Sequence, residues 1–245
     1  MPATLASVHE RIRERSPLGA AETEQILSVR FDHLPQRLVA ALDAWPLGDA
    51  AVLDVGSSYG TCLVHFGPGS LGIDNHDESV AFTRAIGLDA DVVDIEHPDQ
   101  IARVPDGAFD YLWVSDVLEH LEAPRLLLRR LSSKLKPGGS LLLQTSVLPR
   151  YRAAEQMLRR LGEHPFDAEV HYHQWTIDTV RHLLRRAGYR PARIVPLLPR
   201  RLAPVASILP AGAVSRVIVE AVPDAALTER ADRAVDRNLR RQSSS

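Results

Sequence analysis

The sequence predicts an α/β fold organised around a doubly wound sheet. Apolar runs and helical spacings alternate five times between Ala51 and Thr145, the loops between them are short, and the first three runs each carry an aspartate near the carboxyl end. A chain of 245 residues suits one such domain with appendages. A formal charge of −2 excludes a globally basic nucleic-acid binder and leaves local patches open. Of the 29 basic residues only Lys134 and Lys136 are lysine, a bias that reads as genome composition.

Leu5, Val8, Ile12, Ile26, Val29, Leu38, Ala41 and Leu42 recur at spacings of three and four, so residues 1–48 are expected to be a helical cap broken at Pro17 and Pro35. It serves as scaffold over one side of the sheet or as a lid over a ligand. Ala51 to Val55 is the first strand, with Asp54 near its end. Gly56 and Gly60 flank Ser57, Ser58 and Tyr59 in the pattern Asp-x-Gly-x-x-x-Gly. Glycine there permits positive φ and close backbone approach. The spacing is not the Gly-x-Gly-x-x-Gly of a pyrophosphate turn, and the carboxylate at Asp54 would repel a diphosphate while favouring an ammonium or sulfonium.

Thr61 to Phe66 follows as a short helix, ended by Gly67-Pro-Gly69, and Ser70 to Ile73 is a second strand closing on Asp74 and Asn75. A carboxylate at that strand tip can accept two ribose hydroxyls, with a simple turn residue as the bland alternative. Glu78 to Ile86 is helical, and Asp91 to Ile95 is a third strand. Asp94 can accept from a purine amine while Ile95 packs on the ring. Phe109 to Ser115 is the fourth strand, Leu126 to Leu135 a helix stopped by Lys136-Pro-Gly-Gly139, and Ser140 to Thr145 the fifth strand.

Asp54-Val-Gly56-Ser-Ser-Tyr-Gly60, Gly72-Ile-Asp74, Asp94-Ile95, Ser115-Asp-Val-Leu-Glu-His120 and Leu135-Lys-Pro-Gly-Gly, in this order, resemble the class I S-adenosylmethionine-dependent methyltransferases from about Ala51 to Val222. The resemblance implies a Rossmann-like, seven-stranded sheet that ends with a sixth strand and an antiparallel seventh, for which Ala192 to Leu197 and Val214 to Val222 are the candidates. It implies a methyltransferase domain at 49–222, with substrate-wall segments at 147–213 and a charged C-terminal helix and tail at 223–245. It also implies that Asp54, Gly56, Ser57 and Gly60 hold the methionine portion of S-adenosylmethionine. Asp74 and Asn75 would hold the ribose, Asp94 and Ile95 the adenine, and the Ser115 carbonyl the amino group. Ser58 stands where the family turn commonly has its middle glycine, so the loop is expected to sit slightly differently.

If Asp116 opens a helical turn, Asp116, Glu119 and His120 share a face. Three readings stay open: Asp116 as a cap with His120 closing the loop, His120 as a base oriented by a carboxylate, or ligands to a divalent ion. His171 and His173, at i and i+2 of an extended segment, face one side. With Glu119 and His120 they resemble the metal site of small-RNA terminal 2′-O-methyltransferases, and a similar acidic-His motif occurs in ubiquinone-pathway O-methyltransferases. Asp116 replaces the usual glutamate there with a shorter reach, and no metal is assigned.

The expected activity is O-methylation of a small-molecule or glycan-type acceptor. The alternatives are a metal-assisted RNA ribose methyltransferase and a non-catalytic S-adenosylmethionine-binding protein. From Arg150 to Arg216 there are 12 arginines against 5 carboxylates, which favours an anionic acceptor, while sparse aromatic interleaving disfavours nucleic acid. Thr176 caps a scaffold helix running toward Gly188. Pro199 to Ala213 reads as a lid or a peripheral membrane contact, and Leu202 to Val214, interrupted by Pro204 and Pro210, is too short to cross a bilayer. Residues 224–241 read as a helix suited to docking or to pairing with another copy, giving a monomer or homodimer, with Gln242 to Ser245 disordered. The lone Cys62 and the lack of a leader pattern point to the cytoplasm.

Overall fold

The computed structural model describes residues 4–32, 34–160, 171–197 and 213–242, the side chains of residues 153 and 234–242 excepted. These residues form two compact units, 1–117 with 134–139 and 118–133 with 140–245. The insert expected at Pro199 to Ala213, apart from Ala213 itself, and the last three residues lie outside the described set.

The first unit opens with α1 (Leu5–Arg15), whose Thr4 cap accepts the Ser7 amide, then α2 (Ala20–Ile26), a wider π-helical turn at Leu27–Phe31, and α3 (Gln36–Ala44). Their apolar stripe is spent on packing: Val8, Ile12, Leu27 and Phe31 share a buried cluster with Val64, Phe82 and Ile86. β1 (Val52–Val55) is buried at every position, as a strand covered on both faces requires. It pairs in parallel with β2 (Leu71–Asp74), which leads into α4 (Asp77–Ala85).

β2 pairs in parallel with β3 (Ala90–Val92), which stops short of the expected Ile95. The Val93 amide makes one last bond to the Asp74 carbonyl, and the Asp94 carboxylate then accepts the Glu96 amide in its own turn. The chain goes into α5 (Pro98–Ile101), with proline in the first turn. β4 (Phe109–Ser115) pairs in parallel with β1 on the side away from β2.

In the second unit α6 (Pro124–Leu131) ends in a tighter turn at Ser132–Lys134 that returns to the first unit. β5 (Leu135–Ser146) begins five residues earlier than the glycine pair suggested and extends through it. α7 (Arg152–Arg160), not foreseen in the sequence, precedes α8 (Ile177–Arg186), where Thr176 and Thr179 cap reciprocally. β6 (Tyr189–Leu197) pairs antiparallel with β7 (Arg216–Pro223), and β7 pairs antiparallel with β5. α9 (Ala225–Gln242) is tied to this unit by the Asp224 amide on the Gly188 carbonyl at 2.8 Å and by Arg129 to Asp232 at 2.6 Å. The strand order is β3-β2-β1-β4-β5-β7-β6, a seven-stranded mixed sheet whose last strand in sequence is antiparallel. Among the described residues no helix is long and apolar enough to cross a membrane.

Lys134 anchors the turn before β5. Its ammonium, almost fully buried, donates to the Val104 carbonyl at 2.7 Å and to Asp106 at 2.6 Å. Lys134→Met should leave that carbonyl without a donor and cost about 2 kcal/mol, read as a lower denaturation midpoint at unchanged m-value.

Candidate functional site

In the first unit the sheet places Asp54 beside Gly72 of β2 and Trp113 of β4. The missing side chain at Gly72 is what lets Ser57 fold back, since a Cβ there would meet Ser57 Oγ at 2.7 Å. The turn after β1 is fastened to β2 because the Gly56 and Ser57 amides both donate to the Ile73 carbonyl, at 2.8 and 3.1 Å. Gly56 and Gly60 each have φ of 75°, and Ser58, with φ of 48°, takes left-handed backbone without being glycine. Ser58 is held there by its amide on Asp74 Oδ2 at 2.8 Å and by Thr83 Oγ1 donating to its carbonyl at 3.3 Å. A Cβ at Gly56 would come within 2.8 Å of Val117 Cγ2, so this glycine is required by the protein's own packing as well as by its φ.

The electrostatics of this turn centre on Asp54, which is 3% exposed. Burial pushes its carboxyl up to about 7, against the opposing charge of Arg37; nearby Asp74 raises it further and a Leu63 amide steadies the ionised form. Asp54 Oδ2, Ser57 Oγ and Arg37 Nε are all buried without a hydrogen-bond partner; the indole nitrogens of Trp113 and Trp175 complete that set among the described residues. Such orphans are costly unless a ligand meets them. An unpartnered buried carboxylate oxygen and hydroxyl suit a ligand ammonium, so this cradle fits the methionine portion of S-adenosylmethionine. Arg37 was missed in the sequence. Its signal was an arginine beside Leu38 and four residues before Ala41, on the buried stripe of α3.

Asp74 closes β2 half-buried, each oxygen accepting one backbone amide: Oδ2 from Ser58 at 2.8 Å and Oδ1 from His76 at 2.9 Å. Every carboxylate oxygen has a second acceptor direction, so a diol can still be received. Asn75 beside it is exposed. Asp94 and Ile95 are half-buried in the turn after β3 rather than at a strand tip; Asp94 Oδ1 is engaged by the Glu96 amide at 3.0 Å, and Oδ2 lies 3.5 Å from His97 Nε2. Ser115 is the last residue of β4. Asp116, with φ of 51°, breaks the chain direction and lies 3.7 Å from Arg37 Nη1. It therefore does not open a helical turn, which corrects the expected common face with Glu119 and His120: only a tight turn at Leu118–His120 follows.

In the second unit that turn buries Glu119 and exposes His120. Thr145 Oγ1 donates to Glu119 Oε2 at 3.2 Å, and the Glu119 carbonyl accepts the Tyr172 and His173 amides at 2.8 and 3.3 Å. The segment carrying His171 and His173 is thus hung from the same residue. The His120 ring meets the His171 ring edge-on, with centroids 4.8 Å apart. His173 is engaged elsewhere: Nε2 lies 2.9 Å from the Leu121 carbonyl, which can only accept, so Nε2 carries the proton. Its ring stacks on Trp175 at 5.0 Å. Among the described residues no three His, Cys, Asp or Glu side chains are grouped to hold one ion.

A family described as a methyltransferase domain matches residues 27–193. The ubiquinone biosynthesis O-methyltransferase of Xanthomonas oryzae pv. oryzae strain PXO99A is 33% identical over 123 residues, 48% of either chain, so this chain spans about half the length of the curated relatives it matches. A solved S-adenosylmethionine-dependent methyltransferase from Thermotoga maritima has a TM-score of 0.59 at 16% identity, covering 87% of this chain and 99% of that one. Another from Mesorhizobium loti has a TM-score of 0.51 at 20% identity, covering 83% and 98%. At such identities the structures speak for the fold alone. The domain match, which takes in well over half of the residues, decides the family: this chain belongs to the methyltransferase-domain family and carries its class I sheet.

Proposed function

We propose that this protein transfers a methyl group from S-adenosylmethionine to an oxygen of a small-molecule or glycan-type acceptor. The observation that carries the donor half is the buried Asp54 with an unpartnered oxygen at the tip of β1, next to the unpartnered Ser57 hydroxyl. The donor supplies a methyl group already activated by a sulfonium, so alignment provides much of the acceleration. Asp54 binds the ammonium of the methionine portion, and the Gly56 to Gly60 turn presents bare backbone to it. Asp74 and Asn75 receive the ribose, Asp94 and Ile95 the adenine, and the Ser115 carbonyl the amino group.

For the acceptor half, His120 takes the proton of an acceptor hydroxyl. An imidazole is suited to that at neutral pH. Glu119 acts as a positioning residue, holding the His171 to Trp175 segment by its carbonyl. That the Xanthomonas relative is an O-methyltransferase supports oxygen as the acceptor atom.

Extracts incubated with the protein and isotopically labelled donor should yield label in a small-molecule or glycan fraction by mass spectrometry; label confined to RNA, or none at all, would sink the acceptor reading. On the labelled acceptor, His120→Ala should lower kcat by about 10²-fold or more while affinity for S-adenosylhomocysteine stays unchanged. Because the folded-state pKa of Asp54 lies at about 7, above the ordinary carboxylate range, the stability it contributes is complete at low pH and is lost as pH rises through 7. Asp54→Asn should therefore melt several degrees higher than the parent at pH 8, with the gap closing toward pH 5, and should bind S-adenosylhomocysteine about tenfold more weakly or worse.

A further inference from the structure

Within the first unit the cap helices and α4 border a second cleft, apart from the cradle at the end of β1. Its volume is about 540 Å³, in the range of small-molecule sites, and Asp54, Gly56 and Asp74 are not among its walls. One wall is the wide turn at Leu27–Phe31, which buries Leu27 and Phe31 and leaves Val29 65% exposed with Arg30 exposed beside it. A π-helical turn is rare and is found mostly at functional sites. Here α1 fastens it: the Phe31 carbonyl lies 2.8 Å from His9 Nε2, and since a carbonyl can only accept, that nitrogen carries the proton. A further wall is Tyr59, whose ring makes a T-shaped contact with Phe82 of α4 at 5.4 Å and lies under the Arg30 guanidinium at 5.8 Å.

The charges of the cleft differ in what else they do. Glu22 accepts the Gly19 amide at 3.4 Å in the cap of α2, and Glu78 sits in the first turn of α4, where the helix dipole favours an acid. Arg30 makes no ion pair among the described residues; beyond its stack on Tyr59, its edge donors are open to a ligand. A guanidinium so placed is matched to a carboxylate. Leu18, Ile26, Val29 and Ala81 add an apolar surface beside it, on which a rigid ring loses less freedom than an alkyl chain. The two glutamates at the rim repel a polyanion such as a nucleotide. We propose that this cleft is a second ligand site, which takes a small aromatic monocarboxylate with its carboxylate on Arg30 and its ring against Val29 and Ile26. The assignment is independent of the donor reading.

The test is calorimetry on the full chain with 2-naphthoate and its neutral isostere 2-naphthamide. Naphthoate should bind with a Kd of about 1 mM or tighter, and the amide about tenfold more weakly. Arg30→Gln should weaken naphthoate by about tenfold and abolish the preference over the amide, whereas Val29→Ser should weaken both probes by about threefold. Both side chains are exposed, so neither change disturbs the core. The assignment is overturned if naphthoate fails to bind, if the amide binds as tightly, if either substitution leaves naphthoate binding unchanged, or if S-adenosylhomocysteine displaces naphthoate one for one, which would put the probe in the donor cradle. A parent protein that binds naphthoate with this profile but no S-adenosylhomocysteine would remove the donor reading and leave the cleft standing.

Discussion

The desolvation of one carboxylate governs the first unit. β1 is buried along its whole length, and Asp54 is drawn out of water with it. An isolated ionised carboxylate in such a place is unfavourable, so burial pushes its pKa to about 7 and the surroundings partly compensate through Arg37 and a Leu63 amide. The compensation is incomplete, because one oxygen remains without a partner. A fold optimised only for stability would place an apolar residue there. That uncompensated oxygen is the observation on which the proposed donor site at the end of β1 rests.

The glycine turn follows from the same constraint. Once β1 ends on a buried acid, the chain must reverse within a few residues without covering it, and Gly56 and Gly60 do this at positive φ. Ser58 adopts the same half of conformational space at the cost a side chain incurs, offset by its bonds with Asp74 and Thr83. Asp74 thus has a structural duty, each of its oxygens accepting one backbone amide. The second unit has its own counterpart: Glu119 is buried, yet its side chain and carbonyl both work, the first on Thr145 and the second on the backbone of the histidine segment.

The sheet was legible in the sequence because periodicity and turn chemistry are local: β1, β2 and β4 lie where the apolar runs placed them. The differences fall where strand pairing and side-chain turns compete with residue propensity. β3 ends early because Asp94 prefers its own turn, and β5 runs through Pro137, Gly138 and Gly139, which by propensity mark a stop. Asp116 could open a helix by sequence, but its left-handed backbone rules that out and only the tight turn at Leu118–His120 follows.

The sequence by itself determined the order of the elements, the acids at Asp54 and Asp74 and the glycines between them, since each follows from spacing along the chain. Only the tertiary structure decided which polar atoms lack partners and which side chains are in electrical contact. Spacing can put an arginine on the buried stripe of a cap helix, but it does not say that a buried aspartate lies within reach of its charge. Burial and hydrogen-bond satisfaction depend on neighbours far away in the chain, and no local pattern of residues encodes them.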